Sequence, residues 1–316
     1  MNRLFRLFKN YPYLCSNHNA ITIYLPENME QELRQLQLKC LEIFDFLDRI
    51  CKKYDIQYSL CGGSVVGAHL YKGFLPWDDD IDIMMTRKSF NKFLKVASRE
   101  LPDDYTIVNY HTSDESTTWK ICFTKIINKN TTLIQNDGNV MGVFLDIIAY
   151  DKVPNNCLKA VDLFLCNRIL SINRGKMEGN SLRVRVRNIV LAPILHHRRA
   201  YLRFFQKIVE MIALTATSDY TYRELFGAYH YYNMLPYKAA IFENYTTIEF
   251  EGRQAMIVRD FVDYLQTRYQ RTDFHEPPEK QVAPHYKLLN FDLPYKEYLK
   301  GIDGEKGVSG KKDAPV

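Results

Sequence analysis

At 316 residues, with 46% hydrophobic and 25% charged residues, the chain is long enough for one large domain or two modest ones around a sizeable core. A net charge of +5 is too mild to imply a nucleic-acid partner, and no run of about 18 apolar residues predicts a membrane-spanning helix. Seven scattered cysteines (Cys15, Cys40, Cys51, Cys61, Cys122, Cys157, Cys166) include no Cys-x-x-Cys pair, which fits reduced, mostly buried thiols in a cytoplasmic protein and not a disulfide framework.

In chain order, the basic stretch Met1 to Asn10 is broken by charge before a signal-peptide core can form, so residues 1–28 read as a loosely ordered segment. The alternative is a short amphipathic segment lying along a membrane surface. Leu33, Leu36, Cys40, Phe44, Leu47 and Cys51 recur at steps of three and four and predict an amphipathic helix over 29–53. Ile56 to Leu60 reads as a strand running into Gly62-Gly63, and Val65 to Tyr71 as a short helix with Ser64 as its N-cap. Lys72-Gly73 makes a turn, and Pro76 marks the entry to the next strand. A helix over Ser89–Glu100 is followed by strand-like runs at Thr106–Tyr110, Trp119–Ile127 and Val143–Ile148. The order β-α-β-α-β-β-β predicts an α/β (α+β) catalytic core over 29–155, built on a mixed sheet flanked by helices.

Beyond Pro154 the pattern becomes mainly helical over 157–217, and 220–270 mixes Tyr-rich helix with a strand at Thr247–Phe250. The expected organisation is therefore a helical part over 156–295 packed on the core. Residues 296–316, with Gly301, Gly304, Gly307, Gly310 and Pro315, read as a disordered tail. Residues 168–207 carry Arg168, Arg174, Lys176, Arg183, Arg185, Arg187, Arg198, Arg199, Arg203 and Lys207 against the single acid Glu178. Such a stretch suits peripheral contact with an anionic membrane, or it is a solvated basic helix face.

The chemistry concentrates in Gly62-Gly63-Ser64 and Pro76-Trp77-Asp78-Asp79-Asp80-Ile81-Asp82-Ile83. Side chains alternate along a strand, so Asp80 and Asp82 share one face, with Cα atoms about 6.5–7 Å apart. Two carboxylates beside an apolar strand repel one another unless cations compensate, which points to Mg²⁺ or Mn²⁺. An EF-hand is excluded, because counting from Asp78 places Ile83 and Ser89 where that loop needs Gly and Glu. Asp146, interrupting Val143-Phe144-Leu145-Asp146-Ile147-Ile148, is the candidate third ligand or a general base. Its alternative is a core acid paired with a nearby Lys or Arg. Asp151, which reads as a loop residue, is the fallback, and Asp78 is a candidate outer partner of the ligands. Gly62, Gly63 and Ser64 at a helix N-terminus suit a phosphate. Lys72, Lys125 and Arg253 are candidate cations for a diphosphate or plain surface cations. Trp77 could stack on a base, hold a quaternary ammonium, or pack the core. His285 is a weaker candidate for proton transfer.

These residues resemble the LicD family of phosphotransferases, within the nucleotidyltransferase superfamily and related to fukutin-type transferases. The resemblance rests on Leu60 to Ala68, Lys72 to Ile83 and Phe144 to Ile147, with Phe250-Glu251-Gly252-Arg253 and Pro277-Pro278-Glu279-Lys280 similar to C-terminal blocks. It implies a nucleotidyltransferase-like fold, a CDP-activated donor such as CDP-choline, and transfer of phosphocholine or another phospho-alcohol to a sugar hydroxyl of a surface glycan or lipid-linked saccharide. The third acid of the family falls on Asp146. Leu70 and Tyr71 stand where the family usually has Arg-His. Transfer of a nucleotidyl group, or an inactive glycan- or nucleotide-binding module, are the alternatives.

Overall fold

The computed structural model describes residues 27–109, 124–136, 138–154, 157–174, 181–216, 221–224, 237–271, 273–274 and 285–309. Helix α1 (Glu27–Lys53) buries Leu33, Leu36, Cys40, Phe44, Leu47 and Cys51, the stripe its periodicity announces. Each large apolar side chain so removed from water contributes about 1.5–3 kcal/mol, enough to hold the helix against the sheet. It is followed by β1 (Ser59–Leu60), α2 (Gly62–Tyr71), β2 (Asp82–Thr86) and α3 (Arg87–Glu100). Then come β3 (Tyr105–Val108), β4 (Thr124–Asn128), β5 (Thr132–Gln135), β6 (Val140–Met141) and β7 (Phe144–Lys152).

The main sheet runs β1-β2-β7-β4-β3. Strand β2 pairs with β7 in parallel, while β1–β2, β4–β7 and β3–β4 are antiparallel, so the sheet is mixed and the fold α/β as expected. Central β7 is apolar and buried almost throughout, as a strand covered on both faces must be. Its buried acids Asp146 and Asp151 stand five residues apart and therefore face opposite sides of the sheet. Each has a buried cation: Lys125 Nζ donates to both Asp146 oxygens (2.6 and 2.8 Å), and Arg87 forks onto Asp151 (2.6 and 3.1 Å).

Helices α4 (Leu158–Arg174), α5 (Leu182–His196) and α6 (Arg198–Thr215) follow, with a small apolar core of their own around Cys166, Ile169, Leu202 and Val209. Arg87 Nη1 also donates to Glu210 on α6 (2.9 Å), tying that helix to the sheet. Strand β8 (Thr221–Glu224) joins the C-terminal end of β7, and β9 (Tyr237–Lys238) pairs with β8 and precedes a 3-10 turn at Ala239–Phe242. The hairpin β10 (Tyr245–Phe250)–β11 (Arg253–Val258), α7 (Phe261–Tyr269), β12 (Tyr286–Asn290) and α8 (Tyr295–Ser309) complete the described chain. Phe250, Ile257, Tyr264 and Tyr295 are buried in the same core as α1 and the main sheet.

Several expectations are corrected. Ser64 is not the N-cap of α2. Cys61 holds that position without a side-chain cap, and Ser64 lies buried within the first turn, its Oγ accepting the Asp82 N–H (3.0 Å). Residues 295–309 form helix α8, where a disordered tail was expected, with Tyr295 anchored in the main core and its N–H donating to Thr131 O (3.0 Å). Asp151, read as a loop residue, belongs to β7. Arg198 is buried and not part of a solvated basic face. The N-terminal segment 1–26, residues 119–123 of the expected strand and Pro277 to Lys280 lie outside the described residues. So do Lys176 and Glu178 and the side chains of Arg174 and Arg199.

Candidate active site

The site follows from the register of three strands. Asp82 on β2 lies opposite Asp146 on β7, and Asp146 lies opposite Lys125 on β4, so the three side chains form one row on one face of the sheet. Asp80 stands two residues before Asp82 in the segment leading into β2, and period two returns it to that face. The outcome is a cluster: one carboxylate oxygen from each of Asp80, Asp82 and Asp146 lies within 4.8 Å of the other two. Asp78, Asp79 and Asp80 form a second such group.

The electrostatics follow from crowding. Burial, with Asp79 and Asp146 beside it, pushes the Asp80 carboxyl up to about 7. Burial and the charges of Asp80 and Asp146 hold Asp82 well above the usual carboxylate range. Asp78 is raised by burial and by Asp80. Asp146 is raised by burial, with Lys125 opposing the rise. Lys125 opposes the rise at Asp146 and Asp80, yet all four carboxyls remain raised. An all-oxygen set that is strained when ionised fits a hard divalent cation.

The Gly-Gly turn opens α2 beneath these acids. A Cβ on Gly62, whose φ is +58°, would lie 3.0 Å from Asp82 Oδ2, and one on Gly63 would lie 2.7 Å from Asp78 Oδ2. Both glycines are thus fixed by the close approach of carboxylates. The Gly62 N–H is already taken, donating to Tyr264 Oη (3.1 Å).

The other candidates separate. Trp77 is half-buried and packs against the main core. Lys125, a candidate cation for a diphosphate or a surface cation, is buried, bonded to Asp146 and over the Phe144 ring. Lys72 caps the far end of α2, about 15 Å along the helix from Gly62, and pairs with Glu249 at the surface. Arg253 forks onto Asp45 of α1 (2.5 and 2.8 Å). Neither Lys72 nor Arg253 joins the acid cluster. Leu70 is packed against the main core and Tyr71 is exposed at that same far end of α2.

Two groups join the site without a sequence signal. Arg268 of α7 comes within 4 Å of the place a Gly62 Cβ would occupy, and its charge opposes the rise of Asp82. Its neighbour Tyr269 is hydrogen-bonded to it and feels the charges of Asp82 and Asp78. Nothing in the sequence of α7 marks either residue as a partner of acids some 190 positions earlier, a separation set by tertiary packing. Asp79 is buried and receives two bonds from His285: the backbone N–H donates to Oδ2 (2.7 Å), and Nδ1 meets Oδ1 (2.9 Å). That contact raises the imidazole to about 9.

Part of the chain is similar to known proteins. Residues 55–158 match the family described as LicD/FKTN/FKRP, nucleotidyltransferase domain. A relative from Haemophilus influenzae, the lipopolysaccharide cholinephosphotransferase LicD, is 29% identical over 266 residues, covering 80% of this chain and 96% of its own length. The matched segment holds Gly62, Gly63, all of Asp78 to Asp82, Lys125 and Asp146.

Proposed function

We propose that this chain, which carries a LicD-family nucleotidyltransferase domain, moves phosphocholine or a related phospho-alcohol from a CDP-activated donor to a sugar hydroxyl of a surface glycan or lipid-linked saccharide. The observation that supports this most is the meeting of the Asp80, Asp82 and Asp146 carboxylates within 4.8 Å. They are the residues that would hold Mg²⁺ or Mn²⁺. Such an ion supplies Lewis-acid neutralisation of the charge on a donor diphosphate.

The protein's own groups set the rest. Ser64 fixes the backbone of Asp82 and so the direction of its carboxylate. Lys125 donates to both oxygens of Asp146 and so fixes the orientation of that carboxylate beside Asp80 and Asp82. Gly62 and Gly63, lacking a Cβ, let the Asp82 and Asp78 carboxylates approach the N-terminus of α2, where the positive end of the helix dipole favours negative charge. Arg268 adds a cation beside Asp82 for the phosphate of departing CMP. Trp77, half-buried and next to Asp78 in the chain, is the aromatic residue that would hold a quaternary ammonium.

The test is CDP-choline labelled in the choline methyls and, separately, in the cytidine, incubated with Mn²⁺ and a glycan acceptor. Release of CMP with choline label on the acceptor is expected, and Asp82→Asn should reduce turnover by about 10³-fold or more with an unchanged unfolding midpoint. Cytidine label on the acceptor would mean nucleotidyl transfer. Metal-independent turnover, or an active Asp82→Asn, would refute the assignment.

A further inference from the structure

Helix α5 is exposed on the side that a packed helix would use for a second neighbour. Leu191 is its one fully buried side chain among those described, with Val184 and Ile194 half-buried on the same side, facing α4 and α6. The opposite side carries Leu182, Val186, Ile189, Val190 and Pro193, all exposed. At 3.6 residues per turn they fall within an arc of about 100°. Leu182, Ile189 and Val190 are 76%, 72% and 63% exposed, far beyond what isolated surface aliphatics need. Exposed Arg183 borders one edge of the stripe and exposed Arg185 the other.

We infer that α5 is an interfacial helix that lays this stripe onto an anionic lipid bilayer, with the arginines at its edges meeting the headgroups. The charge pattern selects that occupant. Helix α5 holds three arginines and no acid. Of the acids described on α4 and α6, Asp162 is buried and Glu210 is bonded to Arg87, so among the described residues these three helices present cations alone. A second copy docked through the same stripe would bring no described acid from α4, α5 or α6 to pair with Arg183 and Arg185. Among the described residues no helix is long and apolar enough to cross a membrane, so the helix lies in the interface and does not span it. Neighbouring helices extend the same chemistry: Arg168 lies over the exposed Phe164 ring at 5.3 Å on α4, and exposed Phe204 adjoins exposed Arg203 on α6. Such docking would bring a lipid-linked acceptor to the protein, yet it stands on α5 and not on the transfer chemistry.

The test is flotation of the full chain with phosphatidylglycerol/phosphatidylcholine vesicles and with phosphatidylcholine vesicles alone. The wild-type protein should float with the anionic vesicles at low salt and lose that binding in high salt. A Val186→Ser/Ile189→Ser/Val190→Ser variant should bind about tenfold more weakly or worse, with an unchanged unfolding midpoint, and Ile189→Ser alone should fall in between. Arg183→Gln/Arg185→Gln should abolish the preference for anionic lipid. No donor or acceptor is needed, so this outcome is separate from the fate of the proposed activity. Wild-type protein left in the supernatant at low salt would overturn the inference, as would undiminished binding by the triple variant. A wild-type dimer that the triple variant converts to a monomer would overturn it too, because the stripe would then belong to a second copy.

Discussion

Gly63 and Gly67 stand one turn apart on α2, yet a methyl group at each would meet different neighbours. At Gly67 it would lie 2.5 Å from Gly73 O and 2.7 Å from Leu75 N, backbone that cannot yield cheaply. Gly67→Ala should therefore lose about 1–3 kcal/mol in urea unfolding. At Gly63 the nearest atom is the Asp78 carboxylate, which can swing aside, and alanine's better helix propensity offsets part of the strain. Gly63→Ala should leave the unfolding midpoint nearly unchanged while turnover falls by about 10- to 100-fold, because an acid beside the reacting groups is displaced. Equal turnover in Gly63→Ala and wild type would remove Asp78 from the site. The raised carboxyl of Asp80 gives a second prediction at this scale. Its ordinary value is 3.8 and its folded value about 7, so across that window the folded state holds a proton the unfolded state has lost. Metal-free stability from this group therefore falls as pH rises from about 4 to 7. A divalent ion binds the ionised form and relieves the repulsion. The rise in melting temperature on adding Mg²⁺ should accordingly be large at pH 8 and small at pH 5, and equal shifts at both would argue against ligation by Asp80.

Strand β7 shows how one element serves two faces. Asp146 points to the acid cluster. Asp151 points the other way, fully buried, and joins Arg87 of α3, which also holds Glu210 of α6. Asp151→Ala would leave the Arg87 guanidinium buried without its main partner and should lose about 3–5 kcal/mol. Arg87→Met/Asp151→Leu, which removes both charges, should recover most of that in denaturant unfolding. The contrast between these residues also explains what the sequence made legible. Asp146 stands out because it interrupts an apolar run, and Asp80 and Asp82 stand out because their alternation makes sense only on a strand. Asp151 sits in Ala149-Tyr150-Asp151-Lys152, where apolar weight fades, and the partner that keeps it in the strand lies 64 residues earlier. Strands β5, β6 and β12 carry no sequence signal for the same reason: they are two to five residues long and are fixed by pairing with one another across the chain. Ser64 looked like a cap because its hydroxyl suits one, but the Asp82 N–H, 18 residues on, claims it.

Across the whole molecule, the acid motif is read near residue 80 but is held in place by chain that arrives 170 to 210 positions later. Tyr264 takes the Gly62 N–H, Glu251 accepts the Phe74 N–H (3.3 Å) and pairs with Arg34, and His285 grips Asp79. The last contact comes from the segment that enters β12, which adds to β5 and leads into α8 through buried Tyr295. The C-terminal segment is therefore part of the site's support, and two variants separate its contributions. His285→Ala keeps the backbone N–H to Asp79 Oδ2 and loses only the ring contact, which should lower stability by about 0.5–1.5 kcal/mol near neutral pH, because the ring is more than half exposed and water screens the pair. The difference from wild type should shrink as pH rises through about 9, where the folded imidazole loses its proton. Deleting residues 285–316 removes both bonds to a buried carboxylate, strips β12 from β5 and uncovers a strand edge. That chain should lose more than His285→Ala does, aggregate on concentration, and show no Mg²⁺-dependent rise in melting temperature, whereas His285→Ala should retain that rise. If the shortened chain instead unfolds at the wild-type midpoint and still responds to Mg²⁺, the acids are positioned by the sheet and α2 alone.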